Sequence, residues 1–410
     1  MCSSDLIKLE GRYEPNAKTM AFSPETKLLA VSSDQLTLDI FNTDNGSKRL
    51  AFEGSRYAAY SPPCFSPDGK TLLVGYDNES VKIWNMQTGA AIKDIKAFAD
   101  SEFDSIHTVL FNADGKNILS SKSNGMKIFD TDSGSELLEL NTRHACPLAL
   151  STDGSKALGG ICDNISGYAD GTNESTLKLL DLKTGSEIFK FKESQSFITS
   201  LSFLPGDGQA VTVTDTGLIQ FWDTQNGAHI KTIETHISVV SSFISKNAYK
   251  AYIVSKDGSV RIWDLKTGQE TVQFVSFKND EWIVVTPEGF FAASPDGAEN
   301  LNVRVGDDVF AIDQVYQSFY RPDLVIEKLN GDPEGMVRAA AEKLDIRAIL
   351  SGGQAPLAEF ISPTETNISE LDVNVKVQLA DQGGGFGKVE WKVNGVTVGL
   401  EGESRGGGFS

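Results

Sequence analysis

The sharpest catalytic pattern in the sequence is RHACP, where His144 and Cys146 stand two residues apart. On a strand they would share a face, the placement an imidazole-activated thiolate needs. The segment reads as the inner strand of a repeat, with no oxyanion-hole loop and no orienting carboxylate, so a core or loop position is the better reading. A second candidate is the loop ICDNISGYADGTNES (161–175), whose Asp163, Asp170 and Glu174 could hold a cation. Those carboxylates lack the regular spacing of a calcium loop, which favours a solvated insertion. GGGFG (383–387) joins two strands and opens no helix, so it is not a phosphate cradle. The sequence therefore offers no catalytic, metal-binding or cofactor-binding residue, and no cofactor is expected.

Composition narrows the partners. With 37 basic and 56 acidic residues in 410, the formal charge is −19, and no Lys/Arg cluster is present to bind a phosphate backbone. This excludes nucleic acid as the main partner and suits a protein or peptide, a cationic one included. No apolar run approaches the ~20 residues of a membrane span. The cysteines Cys2, Cys64, Cys146 and Cys162 are scattered without a CxxC pair, which suggests neither a disulfide framework nor a zinc site. MCSSDL is what a sequencing adapter translated in frame would encode, so residues 1–6 are read as an artefact and Cys2 as no anchor.

The elements that would position any site come from a repeat. LDIFNTDNG (38–46), VKIWNMQTG (81–89), MKIFDTDSG (126–134), LKLLDLKTG (177–185), IQFWDTQNG (219–227) and VRIWDLKTG (260–268) are copies of one unit. Each has a large apolar residue (Phe41, Trp84, Phe129, Leu180, Trp222, Trp263), then Asp or Asn, then glycine five positions on, and the intervals are 43, 45, 51, 42 and 41 residues. Asp or Asn can accept backbone N–H bonds two residues on, and glycine supplies the positive φ that closes a short hairpin. Apolar residues on both strand faces require cover on both sides, as for a sheet stacked between two others. A second turn signal (SPDG 66–69, NADG 112–115, STDG 151–154, GDG 206–208) precedes most copies, giving four strands per unit. A repeat of this length ending in Trp-Asp resembles the WD-repeat β-propeller family.

That resemblance implies a structural hydrogen-bond network of His236, Ser255, Asp257 and Trp263 in the last copy. Other copies lack the histidine: LEGRYEP has Arg12 and AFEGSRY has Ser55. WIVVT (282–286), GFFAAS (289–294) and LNVRV (301–305) read as strands of a seventh blade without its Trp-Asp. Ile7 to Glu10 is expected to supply its fourth strand and close the ring. From Ile312 the pattern turns helical, with Ile312, Val315, Tyr316 and Phe319 on one face and Pro322 ending or restarting the segment. Asp332-Pro333-Glu334 predicts a helix start, with the helix running to about residue 350. Alternating Val373, Val375, Val377 and Leu379, then Val389, Trp391 and Val393 before Asn394-Gly395, resembles the opening of an immunoglobulin-like sandwich.

The expected fold is all-β: a seven-bladed WD-repeat β-propeller over 7–311, a helical linker over 312–355 and a truncated immunoglobulin-like sandwich over 356–410. Residues 281–325 and 371–395 are similar to the segment joining WD repeats to a caspase-like peptidase domain in bacterial multidomain proteins. That implies a non-catalytic interaction or sensor region of a larger cysteine peptidase. The family's Ser-Gly-His-Gly and Asp-x-Cys-x-Gly motifs are absent, so no catalytic residue carries over and the chain itself is expected not to be an enzyme. A free-standing scaffold is the alternative. A propeller enzyme with a metal or quinone in a central channel is less favoured, because four scattered histidines supply no ligand set. Loops entering successive inner strands would place Arg56, Tyr57, Phe103, Asp104 and Phe197 on one rim, a site for a protein or peptide.

Overall fold

The computed structural model describes residues 17–23, 25–33, 38–52, 61–98, 106–122, 125–140, 145–162, 175–191, 196–245, 248–277, 281–305, 308–312, 315–344, 357–362, 375–380, 389–393 and 396–401. The chain divides into two compact units at Gln273/Phe274.

Five of the six sequence copies become antiparallel four-stranded meanders, and the sixth supplies the first four strands of a six-stranded sheet. Blade 1 is Ala17–Ser23, Leu28–Ser33, Leu38–Asn42 and Lys48–Phe52, and blade 2 is Cys64–Phe65, Thr71–Gly75, Ser80–Asn85 and Ala91–Lys96. Blade 3 is Thr108–Phe111, Asn117–Lys122, Gly125–Asp130 and Glu136–Leu140, and blade 4 is Ala145–Leu150, Lys156–Cys162, Ser175–Asp181 and Glu187–Lys190. Blade 5 is Ile198–Phe203, Gln209–Thr214, Leu218–Asp223 and His229–Glu234. Blade 6 is Val239–Ile244, Lys250–Ser255, Val260–Asp264 and Gln269–Ser276. First strands of successive blades touch in chain order, from Ala17–Ser23 to Val239–Ile244.

The turn chemistry is as the sequence predicts. Asn85 Oδ1 accepts the N–H groups of Gln87 and Thr88 at 2.8 and 2.9 Å, and Asp264 Oδ1 those of Lys266 and Thr267 at 2.9 and 2.7 Å. The glycine closing each such turn lies on the fourth strand of the preceding blade: Gly89 on Leu50, Gly134 on Ile95, Gly185 on Leu140, Gly227 on Phe189 and Gly268 on Ile233. At Gly185 (φ 74°) the left-handed backbone favours glycine, and a Cβ there would also displace the end of the Leu140 side chain.

Both faces of each internal blade are used. In blade 2, Trp84 packs with Leu28, Ile40 and Phe52 of blade 1, while Val81 and Ile83 pack with Val109 and Ile118 of blade 3. Continuous apolar strands thus follow from burial on two sides. The polar position two before the Trp-type residue pairs with the fourth strand in several blades: Lys82 with Asp94, Lys127 with Glu136 and Glu139, Lys178 with Glu187, Arg261 with Glu270.

The second unit has its own core. Trp282–Val285 and Phe291–Ala293 pair as a hairpin. Asn302–Val305 does not follow them as a third strand of that hairpin; it pairs with Asp308–Ala311. Ile283, Phe290 and Phe291 pack with Ile312, Val315, Phe319, Leu324 and Val337. The segment expected to be a linker is therefore core-forming, and the division between units falls well before residue 311. Pro322 restarts the chain as helix Pro322–Leu329, with proline in its first turn. The next helix is Met336–Glu342, starting later than Asp332-Pro333-Glu334 suggests because Gly335 is left-handed (φ 68°). Asp332 still caps it, accepting the N–H groups of Val337 and Arg338 at 2.9 and 3.2 Å. Leu357–Ser362 pairs with Lys376–Ala380, and Val389–Val393 with Val396–Glu401. Ile7 to Glu10 lies outside the described residues.

Candidate protein-interaction surface

Of the residues expected on the rim, Arg56, Tyr57, Phe103 and Asp104 lie outside the described residues. Phe197 is in the connection entering blade 5, 36% exposed, with its carbonyl accepting the Asp215 N–H at 2.9 Å. His144, Arg12, Ser55, the loop carboxylates Asp163, Asp170 and Glu174, and residues 383–387 are also outside, and Cys146 is described only as strand backbone. Among the described residues, no three His, Cys, Asp or Glu side chains converge. No described helix is long and apolar enough to cross a membrane.

The four residues of the expected blade 6 network are not joined by hydrogen bonds as a group. His236 is exposed at a left-handed turn (φ 56°). Ser255 is buried, and its Oγ accepts the Asp257 N–H at 3.3 Å. The Asp257 carboxylate accepts Ser259 Oγ–H and N–H at 2.6 and 2.8 Å and Arg261 Nη2–H at 3.3 Å. The Ser259 hydroxyl leads in drawing the Asp257 pKa down to about 2. Trp263 Nε1 is buried and makes no hydrogen bond among the described residues.

Register explains the indole. In blade 5, Trp222 pairs across the ladder with Ala210, and its Nε1–H donates to Oγ1 of Thr212, two residues along, at 3.0 Å. In blade 6, Trp263 pairs with Ala251, so the residue two along is Ile253, which has no acceptor. The hydroxyl at Ser255 stands one further step away. Blade 2 repeats the substitution: Trp84 pairs with Leu72, and Val74 stands in the acceptor's place. The Trp84 N–H makes no hydrogen bond among the described residues, and burial pushes the nearby Tyr76 hydroxyl up to about 12. The remaining described histidine of note, His229, is exposed beside Trp222, ring centroids 5.2 Å apart.

Among the described residues, the surface carries exposed apolar side chains at a repeated position. Ile92, Leu137, Ile188 and Ile230 stand at the same place in blades 2 to 5, at the register shift that opens the fourth strand. All four are exposed, Leu137 most at 56%. The signal was present in the copies, one residue beyond the position facing the Trp-type residue, but exposure required the ladder.

Comparison with known proteins agrees with this picture. A family profile described as "Anaphase-promoting complex subunit 4 WD40 domain" matches residues 20–109. The chain is 22% identical over 270 residues to the apoptotic protease-activating factor 1 of Danio rerio, covering 64% of this chain and 20% of that protein. It is 23% identical over 252 residues to "Cell division cycle 20.4, cofactor of APC complex" of Arabidopsis thaliana, covering 58% and 54%. A similar match, 23% over 205 residues, is to the angio-associated migratory cell protein of Homo sapiens, covering 48% and 47%. The aligned region thus spans from a fifth to about half of these relatives' lengths. The family match and these relatives support a WD-repeat protein.

Proposed function

We propose that this chain is the non-catalytic, protein-binding region of a larger caspase-like cysteine peptidase, whose WD repeats scaffold or sense a protein partner. The observation that carries the binding part is the run of six interlocking blades, whose polar groups serve turns and ladders while exposed apolar residues recur on the outer strands. The peptidase part rests on the likeness of residues 281–325 and 371–395 to segments that precede such domains. The name of the apoptotic relative points the same way, since that protein is a protease-activating factor. On this reading strands 282–285 and 291–293 belong with a seventh blade closed by Ile7 to Glu10, and the strands after 356 begin an immunoglobulin-like sandwich.

The test is the complete reading frame, recovered across both ends. A downstream domain with the paired Ser-Gly-His-Gly and Asp-x-Cys-x-Gly motifs is the expected result. Cleavage assays with and without the blades would then measure regulation. A frame that ends without them would leave a free-standing scaffold.

A further inference from the structure

The fourth strand is the outer edge of each blade, and an edge strand offers unpaired N–H and C=O groups to any chain that can lie beside it. Lysine on the strand is a common protection. Four outer strands carry it: Lys48, with Arg49, in blade 1, Lys93 and Lys96 in blade 2, Lys190 in blade 4 and Lys231 in blade 5. Two outer strands hold neither lysine nor arginine, Gln269–Ser276 in blade 6 and Glu136–Leu140 in blade 3. In blade 6 the sheet does not stop there, because Trp282–Val285 and Phe291–Ala293 continue it. Phe274 stacks on Trp282 with centroids 6.5 Å apart, and the Phe277 N–H donates to the Glu281 carbonyl at 2.8 Å. The chain thus adds a strand to one of its two lysine-free edges. In blade 3, among the described residues, the sheet ends at Glu136–Leu140.

The blade 3 edge has two further features. Its charged side chains, Glu136 and Glu139, are both held by Lys127 of the adjacent third strand, at 2.8 and 3.5 Å. A cavity of about 260 Å³ opens beside the strand, between blades 3 and 4, with Leu137 and Leu138 of the edge facing Leu150 and Leu182 across it. The row of three residues at one ladder level, from the first, second and third strands, is Phe203–Ala210–Trp222 in blade 5 but Leu150–Ala157–Leu180, without a ring, in blade 4. Lys183 is the one charged side chain among the described lining residues, so aliphatic shape sets what the cleft accepts. Its size is below the ~300–1,000 Å³ of sites that enclose a whole small ligand, which suits one inserted side chain.

We propose that Glu136–Leu140 accepts an extended strand of a protein partner, which pairs with the blade 3 edge through its main chain and sets one apolar side chain in the adjoining cleft. This rests on the protein-binding reading of the chain, and gives it a place. Strand addition takes affinity from main-chain hydrogen bonds and specificity from pockets for alternate side chains. The edge supplies the first and the cleft the second.

The experiment is hydrogen–deuterium exchange with mass spectrometry on the full chain, titrated with acetyl-Ser-Val-Thr-Leu-Thr-Val-Ser-amide. Slower exchange over residues 136–140, saturating with Kd on the order of 1 mM, is expected. An added strand turns alternate N–H groups toward the edge. Of two N-methylated forms, one blocked at Val and Leu and the other at Thr, one should therefore bind at least about tenfold weaker than the other. Replacing the central leucine of the peptide by serine should also weaken binding about tenfold. Leu137→Lys, an exposed change that gives blade 3 the protection of the other outer strands, should abolish the effect with the melting temperature unchanged. Leu150→Phe, which fills the cleft from blade 4, should erase the preference for leucine over serine. Slower exchange elsewhere, none at saturating peptide, equal binding by the two N-methylated forms, or binding that survives Leu137→Lys would overturn the strand site. Equal binding of the leucine and serine peptides to the native chain would overturn the part given to the cleft. A reading frame without peptidase motifs would fell the peptidase reading and leave the edge standing, while a silent titration would do the reverse.

Discussion

Blades 4 and 5 are neighbours built from the same unit, and they solve the same packing problem differently. Blade 5 fills its row with Phe203 and a fully buried Trp222, whose indole N–H is satisfied by Thr212 at 3.0 Å. Blade 4 fills its row with leucines and leaves a cleft beside them. The repeat therefore fixes backbone and turns tightly but tolerates large changes in side-chain volume, because each interface is local to two blades.

The largest expected effect tests the filled blade. Trp222→Ala should cost about 3–5 kcal/mol in urea unfolding, through lost burial and a cavity. Leu180→Ala in blade 4 should fall at the lower end of the ~2–5 kcal/mol range; equal losses would break the contrast. Next, Thr212→Val should cost about 1–3 kcal/mol by stranding a buried indole N–H. Ile253→Thr should cost less than Ile253→Ala, because its hydroxyl gives Trp263 the acceptor it lacks while both lose buried apolar volume; an equal loss would mean the register argument does not transfer between blades. Leu150→Phe should stabilise by about 0.5–2 kcal/mol if the cleft is unfilled space; destabilisation of about 1–3 kcal/mol would mean blade 4 is already full.

The smallest effect is electrostatic. The Ser151 hydroxyl, then Ser155, hold Asp153 ionised down to about 2, below its ordinary 3.8. A carboxylate depressed on folding stabilises above its unfolded pKa and loses that contribution as pH falls through the folded value. Acid melts of the native chain should therefore steepen between pH ~4 and ~2, and Asp153→Asn should flatten that window slightly. An unchanged melt would show that the turn in blade 4 holds without its charge.

The six meanders were legible because their signals are local. An Asp or Asn reaching two residues on and a glycine with positive φ, as at Asp264 and Gly268, need no knowledge of the rest of the chain. The indole's partner was not legible for the opposite reason. Ile253 and Ser255 have the same parity and share a strand face, so sequence identifies the face but not the ladder level, which only pairing with Ala251 sets. The helix start moved from 332 to 336 by a comparable mechanism: Asp332 caps as expected, but a left-handed Gly335 intervenes. The missing rings of blade 4 stood in the sequence from the start. That they border a cleft depended on Leu138 and Leu182 meeting across two blades.

The seating of each turn glycine on the previous blade's outer strand has a direction. Gly89 lies against Leu50, Gly134 against Ile95 and Gly185 against Leu140, always an earlier residue. During synthesis, which exposes the N-terminal part first, every emerging blade finds its seat already made. Growth is then templated along the chain, so a ribosome stalled after any blade holds a docked stack with one open outer strand, waiting for the next glycine.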